Sequence, residues 1–437
     1  MRSVLDRVLA LVTRVVVWGF FRRYETVGAR PVTGERPVLI VANHFNGFVD
    51  PVAVTAALGR LPRFLGKATL GNNPLVRPLL AVGGVVLVQR REDQADGSPS
   101  NESTFAACHR VLARHATVAI FPEGTTHDRP HMVRVHTGAA RIALGARDSG
   151  VAGLHIVPTG LTFDDKLALR SGVVVEFGEP IDLDLEVVRM GGPDGAGGED
   201  DHETVRKLTD LIEARLRAVS PDFETVDEWR ALEAAAAISL ATPRRPTPPL
   251  VDKVHLARRL GRLPAEQRRS LRSTLAAYVL LLHLFNLDDR QLIGAVRRRD
   301  LLRSVVILSV VYLLTGPFVL AGVLANAPPA AVVAGISLGV RTPVTKGTVR
   351  LLVAMVVFPV SWFVAGSLVA DGALRVTAAA AGFAAAGFLA LLWIEGVIRL
   401  VSTIVSWRVT AERSALIDPL TEARQSVVDA VTAGDLA

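Results

Sequence analysis

Two side chains in a short polar segment, His44 and Asp50, have the types and the spacing that proton transfer requires. The segment reads Asn-His-Phe-Asn-Gly-Phe-Val-Asp-Pro over residues 43–51 and follows an apolar run. His44 is therefore predicted to leave the carboxyl end of a β-strand, where α/β proteins place their ligands. A histidine can take the proton of an attacking hydroxyl, while a nearby carboxylate holds its tautomer and stabilises the imidazolium. The alternative is structural: Asp50 caps a helix that has Pro51 at its first position, and His44 is a loop residue.

A second segment runs from Gly66-Lys67 to Arg90-Arg91 and contains an apolar run that ends in the two arginines. Their guanidinium groups could contact a phosphate. Lys67 stands out because it is one of only five lysines in the chain. A core strand with a solvated end is the simpler interpretation of the segment.

A third polar segment, Phe-Pro-Glu-Gly-Thr-Thr-His-Asp-Arg-Pro at residues 121–130, also follows an apolar run. Glycine at position 124 lets the backbone approach a ligand closely, and successive N–H groups can hold an oxyanion or a phosphate. An ordinary strand-to-loop turn is the alternative. A fourth segment, Val-Pro-Thr-Gly at residues 157–160, is uninformative by itself.

The elements that must position these groups alternate between β-rich runs and helical stretches over residues 37–183. This alternation predicts an α/β layer fold. Helices are predicted to begin near Pro51, Ser103 and Gly138, and two polar helices to follow at 202–219 and 223–240. The predicted strands are Pro37–Ala42, Val82–Val88, Thr117–Phe121, Leu154–Pro158 and Val173–Phe177.

The composition points to a soluble catalytic part joined to a hydrophobic part. Half of the 437 residues are apolar and 21% are charged, and the mean hydropathy is +0.36. The net charge of +7 suits anionic lipid headgroups, phosphate-bearing substrates or nucleic acid. Nucleic acid is the weakest candidate, because aromatic residues make up only 5% of the chain and do not interleave a basic patch. The single cysteine, Cys108, excludes an intramolecular disulfide and is predicted to be a small core residue.

The first 30 residues are predicted to form an amphipathic helix that lies in the membrane surface. Packing of this helix on the protein's own core is the alternative. The polar face carries Ser3, Asp6, Arg7, Ala10, Thr13 and Arg14, and the apolar face carries Leu5, Val8, Leu9, Val12, Val16 and Phe20.

The chain beyond a proline-rich linker at 242–250 contains segments that could cross a bilayer, which takes roughly 20 apolar residues. They are Ser304–Ala325, Leu351–Ala370 and Ala378–Val401. Basic residues flank the stretch 304–340, so it either forms a re-entrant hairpin turning at Asn326–Pro329 or crosses once at its start. The predicted division is an interfacial helix at 1–30, a catalytic domain at 31–240, and linker, helices and transmembrane region at 241–437.

Taken together, and in this order, the four segments resemble the glycerolipid acyltransferase superfamily, which contains bacterial 1-acylglycerol-3-phosphate acyltransferase. Its hallmarks are a His…Asp motif, a strand ending in Arg, an FPEG motif and an apolar-Pro motif, and here they span residues 37–183. FPEGTTHDRP, residues 137–144, VPTGL and VEFGEPI further resemble the yeast-type glycerol-3-phosphate/dihydroxyacetone-phosphate acyltransferases. Two departures stand out: five residues separate His44 from Asp50 where the commonest motif has four, and Thr126 stands where many members have arginine.

The resemblance implies a mixed sheet flanked by helices and direct transfer of a fatty acyl group from acyl-CoA or acyl-carrier protein. The acceptor would be a hydroxyl of glycerol 3-phosphate or lysophosphatidate in phospholipid biosynthesis. His44 would be the base and Asp50 its orienting carboxylate. The predicted substrate-binding residues are Asn43, Asn46, Lys67, Arg90, Glu123, Gly124, Thr125 and Arg129. Glu123 would hold an acceptor hydroxyl or brace its loop.

No metal or cofactor is expected, because a thioester is already activated for attack by a hydroxyl. The expected partners are membrane lipids, the thioester donor and the glycerophosphate acceptor, with the catalytic domain on the cytosolic face of the cytoplasmic membrane. Two alternatives remain open: an acyltransferase with another lysophospholipid or a glycolipid as acceptor, and a non-catalytic lipid-binding membrane scaffold.

Overall fold

The fold is taken from a computed structural model of the chain. It describes residues 2–28, 36–72, 77–88, 102–191, 198–199, 201–293, 298–412 and 414–435.

Two compact units make up the chain. The first comprises Met1–Asp222 together with Pro343–Thr348, and the second comprises Phe223–Thr342 together with Val349–Ala437. The N-terminal helix is part of the first unit, and the helix at 226–240 belongs to the second, because Leu232 and Ala236 are buried in the core of that unit.

A mixed eight-stranded sheet forms the centre of the first unit. Its strands are β1 (Arg23–Val27), β2 (Val38–Ala42), β3 (Arg63–Lys67), β4 (Val86–Val88), β5 (Thr117–Ile120), β6 (His155–Phe163), β7 (Gly172–Phe177) and β8 (Ile181–Asp182). The strand order is β1-β7-β6-β2-β5-β3-β4, and β8 pairs with β6. Five adjacent strands run parallel to one another, in the order β6, β2, β5, β3 and β4. β7 is antiparallel to β6.

Helices flank this sheet and complete the first unit, so the predicted α/β fold is confirmed. They are α1 (Arg2–Phe20), α2 (Val49–Leu58), α3 (Arg77–Gly83), α4 (Glu102–Leu112), α5 (Gly138–Asp148), α6 (Leu183–Gly191) and α7 (His202–Val219). The strand predicted at Val82–Val88 is shorter than expected, because Val82 and Gly83 end α3. The short or polar strands β1 and β3 were not predicted, since neither has the long apolar run of a central strand.

The core of the first unit explains why the central strands were predictable. All five residues of β2 are buried, as expected for a parallel strand covered on both faces. Cys108 of α4 lies in the same core and is fully buried, which confirms its predicted place. Burial raises the pKa of the Cys108 thiol to about 12.

The structure explains why the fourth sequence segment, residues 157–160, ends in Gly160. It lies in β6, and a Cβ at this position would overlap the backbone carbonyl oxygen of Val219, at the end of α7. Glycine therefore lets α7 pack directly against the sheet.

Gly160→Ala is expected to destabilise the protein, because the overlap is with backbone and cannot be relieved by a side-chain rotation. Overpacking of this kind typically costs about 1–3 kcal/mol. The midpoint of thermal unfolding measures the loss. Gly138→Ala is the matched control, since a Cβ there would meet Ile120 at an ordinary 3.8 Å. An unchanged midpoint for Gly160→Ala would contradict this packing.

Helix α1 packs on the domain through part of its surface and leaves many apolar residues outward. Ala10 and Val17 are buried, Arg14 donates to the carbonyl oxygen of Ala56, and Asp6 pairs with Arg63 at 2.8 Å. The outward-facing side chains, each between 42% and 61% exposed, are Val4, Leu5, Val8, Leu11, Val12, Val15 and Trp18. The structure therefore combines contact with the protein's own core and an exposed apolar face.

The second unit combines a helical bundle with three long apolar helices. The bundle consists of α8 (Val226–Leu240), α9 (Leu250–Gly261), α10 (Ala265–Leu284), α11 (Asp289–Ile293) and α15 (Ser414–Asp435). Buried Tyr278 of α10 donates to Asp289 at 2.7 Å, and Arg424 of α15 pairs with the same carboxylate. The linker predicted at 242–250 lies between α8 and α9.

The three long helices are α12 (Arg298–Gly339), α13 (Pro343–Val369) and α14 (Ala373–Glu412). Their apolar segments, Leu301–Gly339, Thr345–Val369 and Ala373–Val405, are long and apolar enough to cross a membrane. The predicted hairpin turn at Asn326–Pro329 is wrong, because α12 continues through it. Just before the prolines, the Asn326 side chain donates to the carbonyl oxygen of Gly322 one turn earlier and accepts from the Trp362 indole of α13.

Candidate active site

The carboxyl ends of four neighbouring parallel strands create the site. β2 lies between β5 and β6, and β3 follows β5 on the far side. Parallel strands end at the same edge of a sheet, so the loops after them meet there. These loops carry His44 after β2, Glu123 after β5 and Lys166 after β6, while Lys67 ends β3.

His44 and Asp50 meet as predicted. His44 Nδ1 lies 2.8 Å from Asp50 Oδ2. The carboxylate is fully buried, whereas 16% of the imidazole surface is exposed. Because Nδ1–H donates to Asp50, Nε2 is left as an acceptor and can take a proton. The imidazole also stacks on Phe121 with ring centroids 4.0 Å apart, which fixes its plane.

Asp50 holds this position from inside a helix and not from its cap. α2 begins at Val49, with Phe48 preceding it, so Asp50 lies in the first turn. Its Oδ2 also accepts the backbone N–H of Asn46 at 2.8 Å. The turn at 45–48, with Gly47 at φ +39°, takes up the additional residue of the His44–Asp50 spacing. The longer spacing therefore still brings the two side chains into contact.

Glu123 braces the site. It is buried, and its Oε1 accepts the backbone N–H of His44 at 2.8 Å. Its Oε2 accepts the N–H of Val133 at 3.0 Å and faces His127 Nε2 at 2.5 Å. Both carboxylate oxygens are thus engaged by the protein, so Glu123 positions the loop that carries His44 and does not present itself to a substrate.

His127 is a site residue that sequence reasoning did not single out. It is 9% exposed, and its Nδ1 accepts the backbone N–H of Arg129. Nε2 therefore carries the proton that is donated to Glu123. Its position four residues after Glu123 is the only sequence signal of this pairing.

Besides Glu123, two more of the predicted substrate-binding residues have structural roles. Asn43 is fully buried, and its amide exchanges two hydrogen bonds with the backbone of Leu161 on β6. Gly124 has φ +66°, and its N–H donates to the carbonyl oxygen of Phe121. This N–H closes the turn, so among the backbone N–H groups around Gly124 those that follow it are the ones left to face an oxyanion.

The other predicted residues lie at the same edge, with one exception. Asn46 is buried, and its Nδ2 is 3.4 Å from the carbonyl oxygen of Lys166. Lys67 is half-buried at the end of β3, and Thr125 and Arg129 are exposed. Arg90 lies outside the described residues.

Lys166, also missed from the sequence, lies beside the base loop. Its Nζ forms an ion pair with Asp128 and lies 3.4 Å from the carbonyl oxygen of Phe45. Burial lowers the pKa of Lys166 to about 8, and the nearby charge of Asp50 opposes this shift. An ammonium group is thus held at the edge of the sheet that carries His44.

Thr348 enters the site from the start of α13, 300 residues beyond Phe48. Its hydroxyl accepts the backbone N–H of Phe48 at 3.0 Å, in the loop between His44 and Asp50. Both residues belong to the first unit. No local sequence signal connects two positions so far apart.

Thr348→Val is expected to lower kcat about tenfold, because the Phe48 N–H loses its acceptor and the loop between His44 and Asp50 loosens. Thr348→Ser keeps the hydroxyl and should remain near the unsubstituted rate. Initial rates of both variants under saturating substrate give the comparison. Equal rates for the valine and serine variants would show that this bond does not position the loop.

The fold and the site define an α/β protein with a histidine–carboxylate pair at the carboxyl edge of its sheet. The model of the Acyltransferase family matches residues 23–162, which contain the sheet from β1 to nearly all of β6 and the His44–Asp50 pair. This part of the chain is therefore similar to the Acyltransferase family.

Known proteins resemble part of the chain. Glycerol-3-phosphate O-acyltransferase 1 of Saccharomyces cerevisiae is 36% identical over 126 residues, which is 27% of this chain and 16% of the yeast protein. Lyso-ornithine lipid O-acyltransferase of Rhizobium meliloti is 26% identical over 221 residues, 42% of this chain and 70% of that protein. The match thus spans less than a fifth of the yeast relative.

One solved structure is similar as well, the 1-acyl-sn-glycerophosphate acyltransferase PlsC of Thermotoga maritima. It aligns with a TM-score of 0.35 and 18% identity, over 48% of this chain and 77% of that chain.

Proposed function

We propose that this protein transfers a fatty acyl group from a thioester, acyl-CoA or acyl-carrier protein, to a hydroxyl of glycerol 3-phosphate or lysophosphatidate. The observation that carries the proposal is the His44–Asp50 pair, whose imidazole keeps Nε2 free at the carboxyl edge of the sheet. The Acyltransferase-family match and the name of the yeast relative support the reaction and the first acceptor.

The reaction needs one proton carrier and a place for negative charge. The acceptor hydroxyl attacks the thioester carbonyl as His44 Nε2 takes its proton, and Asp50 stabilises the imidazolium. The N–H groups of Thr125 and Thr126, just past the glycine turn, would stabilise the tetrahedral oxyanion. Collapse of the intermediate breaks the C–S bond, and the imidazolium returns the proton to the departing thiolate. This direct transfer calls on no metal and no covalent enzyme intermediate.

A lyso-ornithine lipid is the second candidate acceptor. The protein with that activity in its name is matched over 70% of its length, a larger share than in the yeast relative. A non-catalytic scaffold is disfavoured, because the histidine and its buried carboxylate are both present and in contact.

The proposed location is the cytosolic face of the cytoplasmic membrane. The outward-facing apolar residues of α1 would enter the headgroup region, and three apolar helices are long enough to cross the bilayer. Acyl chains reside in the membrane, so a site at its surface can reach them.

The test is acyl transfer by the detergent-solubilised full chain. Radiolabelled palmitoyl-CoA or palmitoyl-acyl-carrier protein is offered with glycerol 3-phosphate, dihydroxyacetone phosphate, lysophosphatidate and a lyso-ornithine lipid in parallel. Labelled product from glycerol 3-phosphate or lysophosphatidate is expected. Product from the lyso-ornithine lipid alone would favour the second candidate, and no product with either donor would contradict acyl transfer.

A further inference from the structure

Lys166 is a charged residue of the site, and it lies outside the four sequence segments described above. It lies in the loop after β6, three residues beyond the end of that strand. β6 pairs with one side of β2, and β5 pairs with the other. Lys166 therefore reaches the His44 loop from the side opposite to Glu123.

The surroundings of this lysine are partly desolvated. Its side chain is 20% exposed, compared with 41% for its ion-pair partner Asp128. Taking an ammonium out of water is unfavourable unless opposite charge surrounds it. Asp128 supplies such charge, but from a carboxylate that itself remains accessible to solvent. A ligand anion could therefore join this pair or replace Asp128.

A purely structural role for Lys166 would require only a hydrogen-bond donor. The only other described contact of Nζ is with the carbonyl oxygen of Phe45, at 3.4 Å, and an uncharged donor could make it. Lysine is also rare in this protein, since only four others occur in the chain. A cation next to the base loop instead suits an anionic substrate.

We propose that Lys166 binds the phosphate of the acceptor, with Asp128 holding the ammonium in place until the phosphate arrives. This inference rests on the proposed function and names a residue for its acceptor. Bound at Lys166, the phosphate lies beside the loop that carries His44, so the hydroxyl of the same molecule is brought to the base. The site thereby selects phosphate monoesters over uncharged alcohols.

Lys166→Gln separates charge from hydrogen bonding, since glutamine still donates to Phe45. The KM for glycerol 3-phosphate, or for lysophosphatidate if that is the acceptor used, should rise roughly 10- to 100-fold on loss of a charge-assisted bond. The kcat at saturating acceptor and the KM for palmitoyl-CoA should stay within about threefold. Lys166→Arg should recover most of the acceptor affinity. Lys207→Gln, which removes an exposed ion-paired lysine of α7, is the matched control.

Titration calorimetry with glycerol 3-phosphate gives a readout that does not depend on turnover. Binding by the unsubstituted protein that is lost in Lys166→Gln supports the proposal. An unchanged acceptor KM, or a fall in kcat alone, would overturn it and leave Lys166 as a brace for Phe45. If the unsubstituted protein neither binds nor acylates any phosphorylated acceptor, the proposed function itself is wrong. The unsubstituted protein alone shows this, so the result is distinct from a failure of the Lys166 proposal.

Discussion

Alanine at position 44 is expected to lower kcat by about 10²- to 10⁴-fold, the usual contribution of a general base. His44 is the imidazole whose Nδ1 donates to buried Asp50 at 2.8 Å and whose Nε2 remains an acceptor. Its removal leaves the acceptor hydroxyl without a proton carrier, while groups that bind the substrates persist. The KM values should therefore change much less than kcat.

The measurement is the initial rate of acyl transfer at saturating donor and acceptor. His202→Ala, an exposed histidine at the start of α7, controls for the general effect of losing an imidazole. Thermal unfolding shows whether the variant is still folded, and a lowered midpoint is expected, because the imidazole stacks on Phe121 and pairs with buried Asp50. A folded His44→Ala protein with full activity would rule out the base assignment.

Glutamine at position 123 is expected to lower both stability and activity. The Glu123 carboxylate accepts from the N–H groups of His44 and Val133 and from the imidazole of His127. An amide offers one oxygen where the carboxylate offers two, and its NH₂ group then faces a buried donor. Each buried donor left without a partner costs about 1–3 kcal/mol, and the His44 loop loses its brace.

The two losses appear together only if Glu123 positions the loop. Thermal unfolding and kcat should both fall in Glu123→Gln, whereas Glu203→Gln, at an exposed position of α7, should change neither. A variant with the original unfolding midpoint but no activity would point to direct contact between Glu123 and a substrate.

The residues predicted from the sequence are those that follow long apolar strands. β2 and β5 are buried runs that end at polar segments, so the positions of His44 and Glu123 at one sheet edge were foreseeable. The contact between His44 and Asp50 was predictable for the same reason, although the position of Asp50 inside α2 was not. Local periodicity specifies a strand, but it does not specify the first residue of the helix after it.

The missed residues depend on contacts between distant parts of the chain. Lys166 lies in a loop without a motif, and it becomes relevant only because β6 pairs with β2. Thr348 is separated from Phe48 by 300 residues, so only the folded chain connects them. Bracing of its loop was one of two roles predicted for Glu123, but its partners, two backbone N–H groups and His127, were not predicted.

The course of α12 also could not be predicted from the sequence. Pro328 and Pro329 predict a break, because each lacks the N–H of a helical hydrogen bond. The helix nevertheless continues through them, and Asn326, just before them, accepts a hydrogen bond from Trp362 of α13. The prolines are visible in the sequence, whereas contact with a neighbouring helix is not.

The fully buried Cys108 makes this chain suitable for labelling chemistry. It is the only thiol in 437 residues, and burial together with a pKa of about 12 keeps it from reacting as a thiolate near neutral pH. The unsubstituted protein should therefore show little labelling by maleimide reagents and can serve as the background control. Single cysteines placed at exposed positions such as Leu338 of α12 or Leu374 of α14 would report, one at a time, which ends of the long helices a membrane-impermeant probe can reach.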